Sequence, residues 1–156
     1  MKAPRGFSLV ELVIGMVILA VLLSIAVPAF SNWLRNARVR TAAESVQNGL
    51  QLARAEAVRR NNAVRFSLVT TTDDACAPAV AGPSWVVSMD DPAGKCATPA
   101  SDTVDPRIIQ SRNGAEGSSA TTIAAGQSTF VFNSLGRVTP TPAGNVAIDI
   151  SSPTAA

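Results

Sequence analysis

Three groups of side chains in this sequence have the type and spacing to do chemistry. The first is acidic: Asp73-Asp74 and Asp90-Asp91, two adjacent pairs beside turn-forming residues. Paired carboxylates can share general acid and base work, but neighbours in a turn point apart and do not converge on one substrate. They read as turn acids. The second group is Cys76 and Cys96, which cannot hold zinc without further soft ligands. The third is a single carboxylate, Glu11, inside a run that is otherwise apolar. The chain contains no histidine, which removes the commonest general base and metal ligand and every Ser-His or Cys-His pairing. No P-loop, G-x-S-x-G elbow or metal-ligand spacing is present. The sequence therefore predicts no enzyme, no cofactor and no metal site.

The element that carries Glu11 is the run from Gly6 to Phe30. Between Leu12 and Phe30 only Gly15, Ser24 and Pro28 are not apolar, and none of these is charged. That length suits one membrane-spanning helix, which needs about 20 apolar residues. A membrane carboxylate costs about 3 kcal/mol to insert, while each Leu, Ile, Val or Phe returns about 0.3–0.6 kcal/mol. Twelve of those four residue types lie between Leu12 and Phe30, so insertion tolerates the acid. The run is long for a signal-peptide core, and no small-residue cleavage site follows it, Ser24-Ile25-Ala26 within it being a weak match, so it reads as a retained anchor. Pro28 lacks an N–H and crowds the turn before it, which predicts a kink or local melting there. Counting positive charges near the span gives Lys2 and Arg5 on one side and Arg35, Arg38 and Arg40 on the other. That count alone places the leader outside.

Helical periodicity continues past the span. Val39, Ala42, Ala43, Val46, Gly49, Leu50, Ala53 and Ala57 recur at three- and four-residue steps and draw one apolar stripe. With Asn61-Asn62 as its stop, the whole helix runs from Phe7 to Asn61, roughly 80 Å at 1.5 Å per residue. The period then shortens to that of strands at 63–69, 84–89, 107–110, 121–125, 128–133 and 145–151, with Gly/Ser/Asn/Pro clusters between them. One antiparallel sheet laid on the helix stripe would close such a domain. The fold class is α+β: a long N-terminal helix, its first half transmembrane, against a small antiparallel β head. The tail from Pro153 reads as loose.

Charge divides along the same lines. Residues 31–65 hold seven arginines against Glu44 and Glu56, whereas residues 66–156 hold four basic residues against eight acidic ones. A basic stem with an acidic head does not suit a general nucleic-acid binder. Beyond a membrane, in an oxidising compartment, Cys76 and Cys96 read as one disulfide, with two buried free thiols as the alternative.

The stretch Gly6-Phe7-Ser8-Leu9-Val10-Glu11, after a short basic leader and before an apolar helix, resembles the N-terminus of type IV pilins and type II secretion pseudopilins. Leu52 to Asn61 (LARAEAVRRN) resembles the helix end of the GspH/FimT class, which carries an A-R-x-E-A-x-x-R-x motif. Trp85-Val86-Val87 followed by Asp90, and Phe132-Asn133-Ser134-Leu135-Gly136-Arg137, resemble two later landmarks of that class. The resemblance implies a pilin-like fold and a division into a leader (1–6), a transmembrane or filament-core helix (7–30), its amphipathic half (31–62) and a β-rich periplasmic or extracellular head (63–156).

It further implies cleavage between Gly6 and Phe7 by prepilin peptidase, methylation of the new Phe7 amine, and a role for Glu11 in setting subunit register by pairing with that amine on a neighbour. Pro28 becomes a hinge in the filament core. Implied partners are membrane lipid before assembly, an inner-membrane assembly platform, and other pilins or pseudopilins in a filament or tip complex. The implied location is the bacterial inner membrane, single-pass with the head in the periplasm, then the filament or its tip. The resemblance and the disulfide thus oppose the orientation that charge counting favours. The function it implies is that of a minor pilin in type IV pilus assembly, initiation or tip formation. Two alternatives are the H-type minor pseudopilin of a type II secretion system and a DNA-uptake receptor on a pilus. In the resemblance to FimT-type pilins, DNA contact is implied by a Gly-Arg-x-Arg element. Here Gly136-Arg137-Val138-Thr139 keeps only the first arginine, Arg137, so DNA is not an expected partner.

Overall fold

A computed structural model describes residues 8–114 and 121–152. The leader, Phe7 and the tail from Pro153 lie outside the described residues. One helix and six strands follow in order: α1 (Leu9–Arg60), β1 (Val64–Val69), β2 (Ser84–Ser88), β3 (Ile108–Arg112), β4 (Thr122–Ala125), β5 (Thr129–Phe132) and β6 (Ile148–Ser151). This is the α+β, pilin-like arrangement of a long N-terminal helix and a small antiparallel sheet. The chain divides into two compact units, residues 1–36 and 37–156.

In the first unit α1 is apolar on every side. Leu12, Val17, Leu22 and Ile25 are all more than half exposed, because no other part of the unit covers them. The helix is long and apolar enough to cross a membrane. It is α-helical through position 28, so the local melting expected at Pro28 is not observed. Proline removes one i→i−4 hydrogen bond, and the bonds on either side keep the helix intact.

In the second unit the stripe on α1 meets the sheet. Ala42, Val46, Ala53 and Ala57 are buried, and Gly49 lies among them. Ala43, expected on that stripe, is exposed: the 3.6-residue period carries it past the edge of the covered face. Small residues let the sheet approach closely. A Cβ on Gly49 would stand 2.7 Å from Cε2 of Phe66 and 3.3 Å from Cδ2 of Trp85. The helix ends in a left-handed residue, Asn61 at φ 50°. The Asn61 amide donates to the Val58 carbonyl (3.3 Å) and the Asn62 amide to that of Ala57 (3.2 Å), the paired bonds of a Schellman cap.

The six expected strands are all present, but they form two sheets and not one. The larger has the order β3-β2-β1-β5, with every pair antiparallel, while β4 and β6 pair as a separate ribbon. Strand periodicity shows which segments extend and is silent on which of them pair. On the sheet's helix-facing side, Phe66 sits opposite both Val87 and Phe130, Leu68 opposite Trp85, and Val64 opposite Phe132. These residues join Val46, Ala53, Ala57 and Ile123 in one buried cluster. The Trp85 indole N–H, which would be costly to bury unpaired, donates to Ser45 Oγ of α1 at 3.0 Å.

The other side of the sheet is covered as well. Val69, Val86 and Ile108 pack with Cys76 and Cys96 in a second buried cluster, and the two cysteines are joined in a disulfide with Cα atoms 6.1 Å apart. This double coverage explains why β2 is buried at all five positions, whereas a sheet with one wet face alternates.

Candidate assembly sites

Two places hold the residues that sequence reasoning singled out. The first is the start of α1. Glu11 lies exposed in the first helical turn, and the Leu12 amide donates to the Ser8 carbonyl at 3.2 Å. An acid there is favoured by the helix dipole, by about 0.3–1 kcal/mol. That local reason for Glu11 stands beside its expected role in assembly. The cleavage position, Gly6 and Phe7, lies outside the described residues.

The second place is the end of α1, where the helix landmark and the last landmark come together. Within the helix run, Ala53 and Ala57 are fully buried under the sheet. Glu56 accepts from Arg59 (2.7 Å) and Arg60 (2.7 Å), and Arg60 reaches on to Asp102 at 2.6 Å. Arg60 and Glu56 are mostly covered, with side chains 17% and 15% exposed, so this pair is more than a solvated surface contact. The Arg59 hydrogen bond foremost, aided by Arg60, holds the Glu56 carboxyl below its usual range. The arrangement ties the helix end to the loop that carries Cys96 and Asp102.

The later landmark forms a tight turn after β5. Asn133 Oδ1 accepts from the amides of Leu135 and Arg137, both at 3.0 Å, while the Asn133 amide donates to the Arg137 carbonyl at 2.9 Å. Gly136 takes φ +68°, and a Cβ there would meet Val58 Cγ2 at 3.1 Å and Arg54 Cγ at 3.2 Å. Glycine is needed twice over at that position, for its backbone angle and for the contact. The turn thus lies on α1, against Arg54 and Val58. Leu135 is 74% exposed and Val58 52%. The signal that could have marked Leu135 is an aliphatic residue in a turn of otherwise small and polar ones.

The Trp85–Asp90 landmark has a different task. Asp90 takes a two-pronged contact from Arg107, Nε to Oδ2 at 2.6 Å and a terminal nitrogen to Oδ1 at 2.7 Å. Arg107 sits at a left-handed φ of 52°, held by its amide donating to the Val104 carbonyl at 2.7 Å. The guanidinium keeps the Asp90 carboxyl below its usual range. Asp73 accepts from the Thr71 hydroxyl (2.7 Å) and the Ala75 amide (2.9 Å), and Asp91 from the Ala93 amide (3.1 Å). The acid pairs order turns. Among the described residues no cluster of three or more His, Cys, Asp or Glu could hold a metal.

Residues 42–156 match the family described as type II transport protein GspH. The chain belongs to the GspH family. Residues 1–27 match the prokaryotic N-terminal methylation motif. Together these make the GspH-family chain a member of the pilin and pseudopilin superfamily, and both later landmarks fall inside the matched region. No solved structure matches it significantly.

Proposed function

We propose that this chain is a non-catalytic subunit of a pilin-like filament, assembled from the inner membrane with its head in the periplasm. The observation that carries this reading is the first half of α1: apolar on all sides, exposed at its described side chains, and carrying one acid in its first turn. Such a surface suits lipid before assembly and the helices of other subunits afterwards. In this reading residues 1–6 are a leader removed by prepilin peptidase, Phe7 is methylated, residues 7–30 enter the filament core, residues 31–62 link to the head, and residues 63–156 form it. Glu11 pairs with the Phe7 amine of a neighbour, a contact far stronger among packed helices than in water. Pro28 supplies the place where the core helix can bend. Prepilin peptidase, an inner-membrane assembly platform and other pilins or pseudopilins are its partners.

Of the two machines that use such subunits, the description of the family, a type II transport protein, supports the minor pseudopilin of a secretion filament. The N-terminal motif fits a type IV pilus equally well. Deleting the gene separates them: loss of exported proteins from the medium is expected, and loss of surface pili with export intact assigns the pilus. DNA uptake draws no support from Gly136-Arg137-Val138-Thr139, which lacks the second arginine of the Gly-Arg-x-Arg element and lies on an acidic head.

The filament reading is tested by the N-terminal mass of the membrane-bound protein. A methylated Phe7 start is expected, and a mass that retains MKAPRG ends the proposal. Glu11→Ala is expected to insert and be cleaved as usual but to be absent from filaments.

A further inference from the structure

The two landmarks that meet at the end of α1 leave residues over. In the helix run, Ala53 and Ala57 are spent on packing, and Glu56, Arg59 and Arg60 on ion pairs. Arg54 is exposed and, among the described residues, makes no ion pair. In the turn, Asn133 and Gly136 are spent on the backbone, while Leu135 and Arg137 stand exposed. Arg137 is likewise without an ion pair among the described residues. Arg54 lines an open groove of about 460 Å³ together with Gln51, Ala55, Val58 and Arg59. Arg54 and Val58 border this groove, and the turn that carries the exposed Leu135 and Arg137 packs on both of them through Gly136.

We propose that Arg54, Val58, Leu135 and Arg137 form a docking surface for the head of a second membrane-anchored subunit, which presents an apolar side chain flanked by carboxylates. Charge argues for that occupant. From residue 66 onward the chain has four basic residues against eight acidic ones, so this cationic face opposes the sign of its own head and complements another like it. Size argues for it as well. Two aliphatic anchors fall far short of the roughly 800 Å² per partner that a freely diffusing complex needs. Subunits held in one membrane or filament meet at an effective concentration in the mM range, where so small a contact suffices. Heads that repeat the contact along a filament make it heterologous, one face against a different face of the next subunit. Nucleic acid fits less well, since the face has no aromatic ring on which a base could stack.

The inference rests on the filament reading above. Its test uses the full-length chain in the cells that make it, with Leu135 replaced by a benzophenone-bearing residue. Irradiation of assembled material is expected to give an adduct with a pilin-type subunit, a second copy or another, whose cross-linked peptide carries Asp or Glu within a few residues. Arg54→Glu with Arg137→Glu is expected to cut that yield about tenfold or more, with the head as resistant to protease as before. Arg54→Gln with Arg137→Gln is expected to give an intermediate loss. A probe at Val104, exposed to a similar degree as Val58, is expected to give little. The proposal is overturned by filaments that contain the protein but yield no adduct at position 135, by equal yield at 104, by adducts with nucleic acid, lipid or a soluble protein, or by a yield that survives charge reversal. Absence of the protein from filaments altogether removes the filament reading, and this inference with it.

Discussion

At the scale of single residues, Gly49 and the ion-paired carboxylates Glu56 and Asp90 decide most. Alanine favours a helix over glycine by about 1 kcal/mol, so Gly49→Ala would stabilise α1 if space allowed. It does not: Phe66 is fully buried, with its ring centroid 5.6 Å from that of Trp85 and 6.3 Å from that of Phe130. Overpacking such a site costs about 1–3 kcal/mol, and with no free direction for Phe66 the upper end applies. A net loss of about 2 kcal/mol is expected by denaturant unfolding of the detergent-solubilised chain. Gly15→Ala is the control, because nothing lies within 4 Å of its Cβ position. Asp90 and Glu56 predict the acid behaviour. Both carboxyls are held below their usual range in the folded chain, so their contribution is fully present above the unfolded value of about 4 and is lost as pH falls through the folded one. The unfolding midpoint is expected to drop below about pH 4, and Asp90→Asn is expected to make that drop shallower while lowering stability at neutral pH.

At the scale of elements, the sheet is held from both sides by different means. The helix side is covered by a long continuous element, and Ala53 and Ala57 let it lie close. The other side is covered by loops, which bring little regular hydrogen bonding of their own and are closed by the Cys76–Cys96 bridge across 20 residues. Cross-linking a loop of that length removes chain entropy from the unfolded state, a contribution of about 3 kcal/mol. Cys76→Ala with Cys96→Ala is therefore expected to lower the free energy of unfolding by that amount, and reduction of the unmodified chain is expected to match it. Equal stability with and without the bridge would show that Val69, Val86 and Ile108 hold the covering loops unaided.

For the molecule as a whole, local periodicity was enough to read α1, its change from apolar all round to one-sided, its end at Asn61, and the six strands. Each of these is written in residues a few positions apart. The acid of Glu11 was equally open to reading, since it is a contrast against an apolar run. What the sequence alone did not determine was long-range. It led to one sheet where there are two, because the period of a strand carries no information about its partner. It placed Ala43 on the buried stripe, because the stripe's width depends on how much of the helix the sheet covers. It marked Leu52 to Asn61 and Phe132 to Arg137 as separate landmarks. Only the tertiary structure showed that they touch through Gly136, spend Glu56, Arg60 and Asn133 internally, and leave Arg54, Leu135 and Arg137 facing outward. The physical reason is that helix and strand formation are settled by neighbours in the chain, whereas a surface is what remains once distant segments have covered one another.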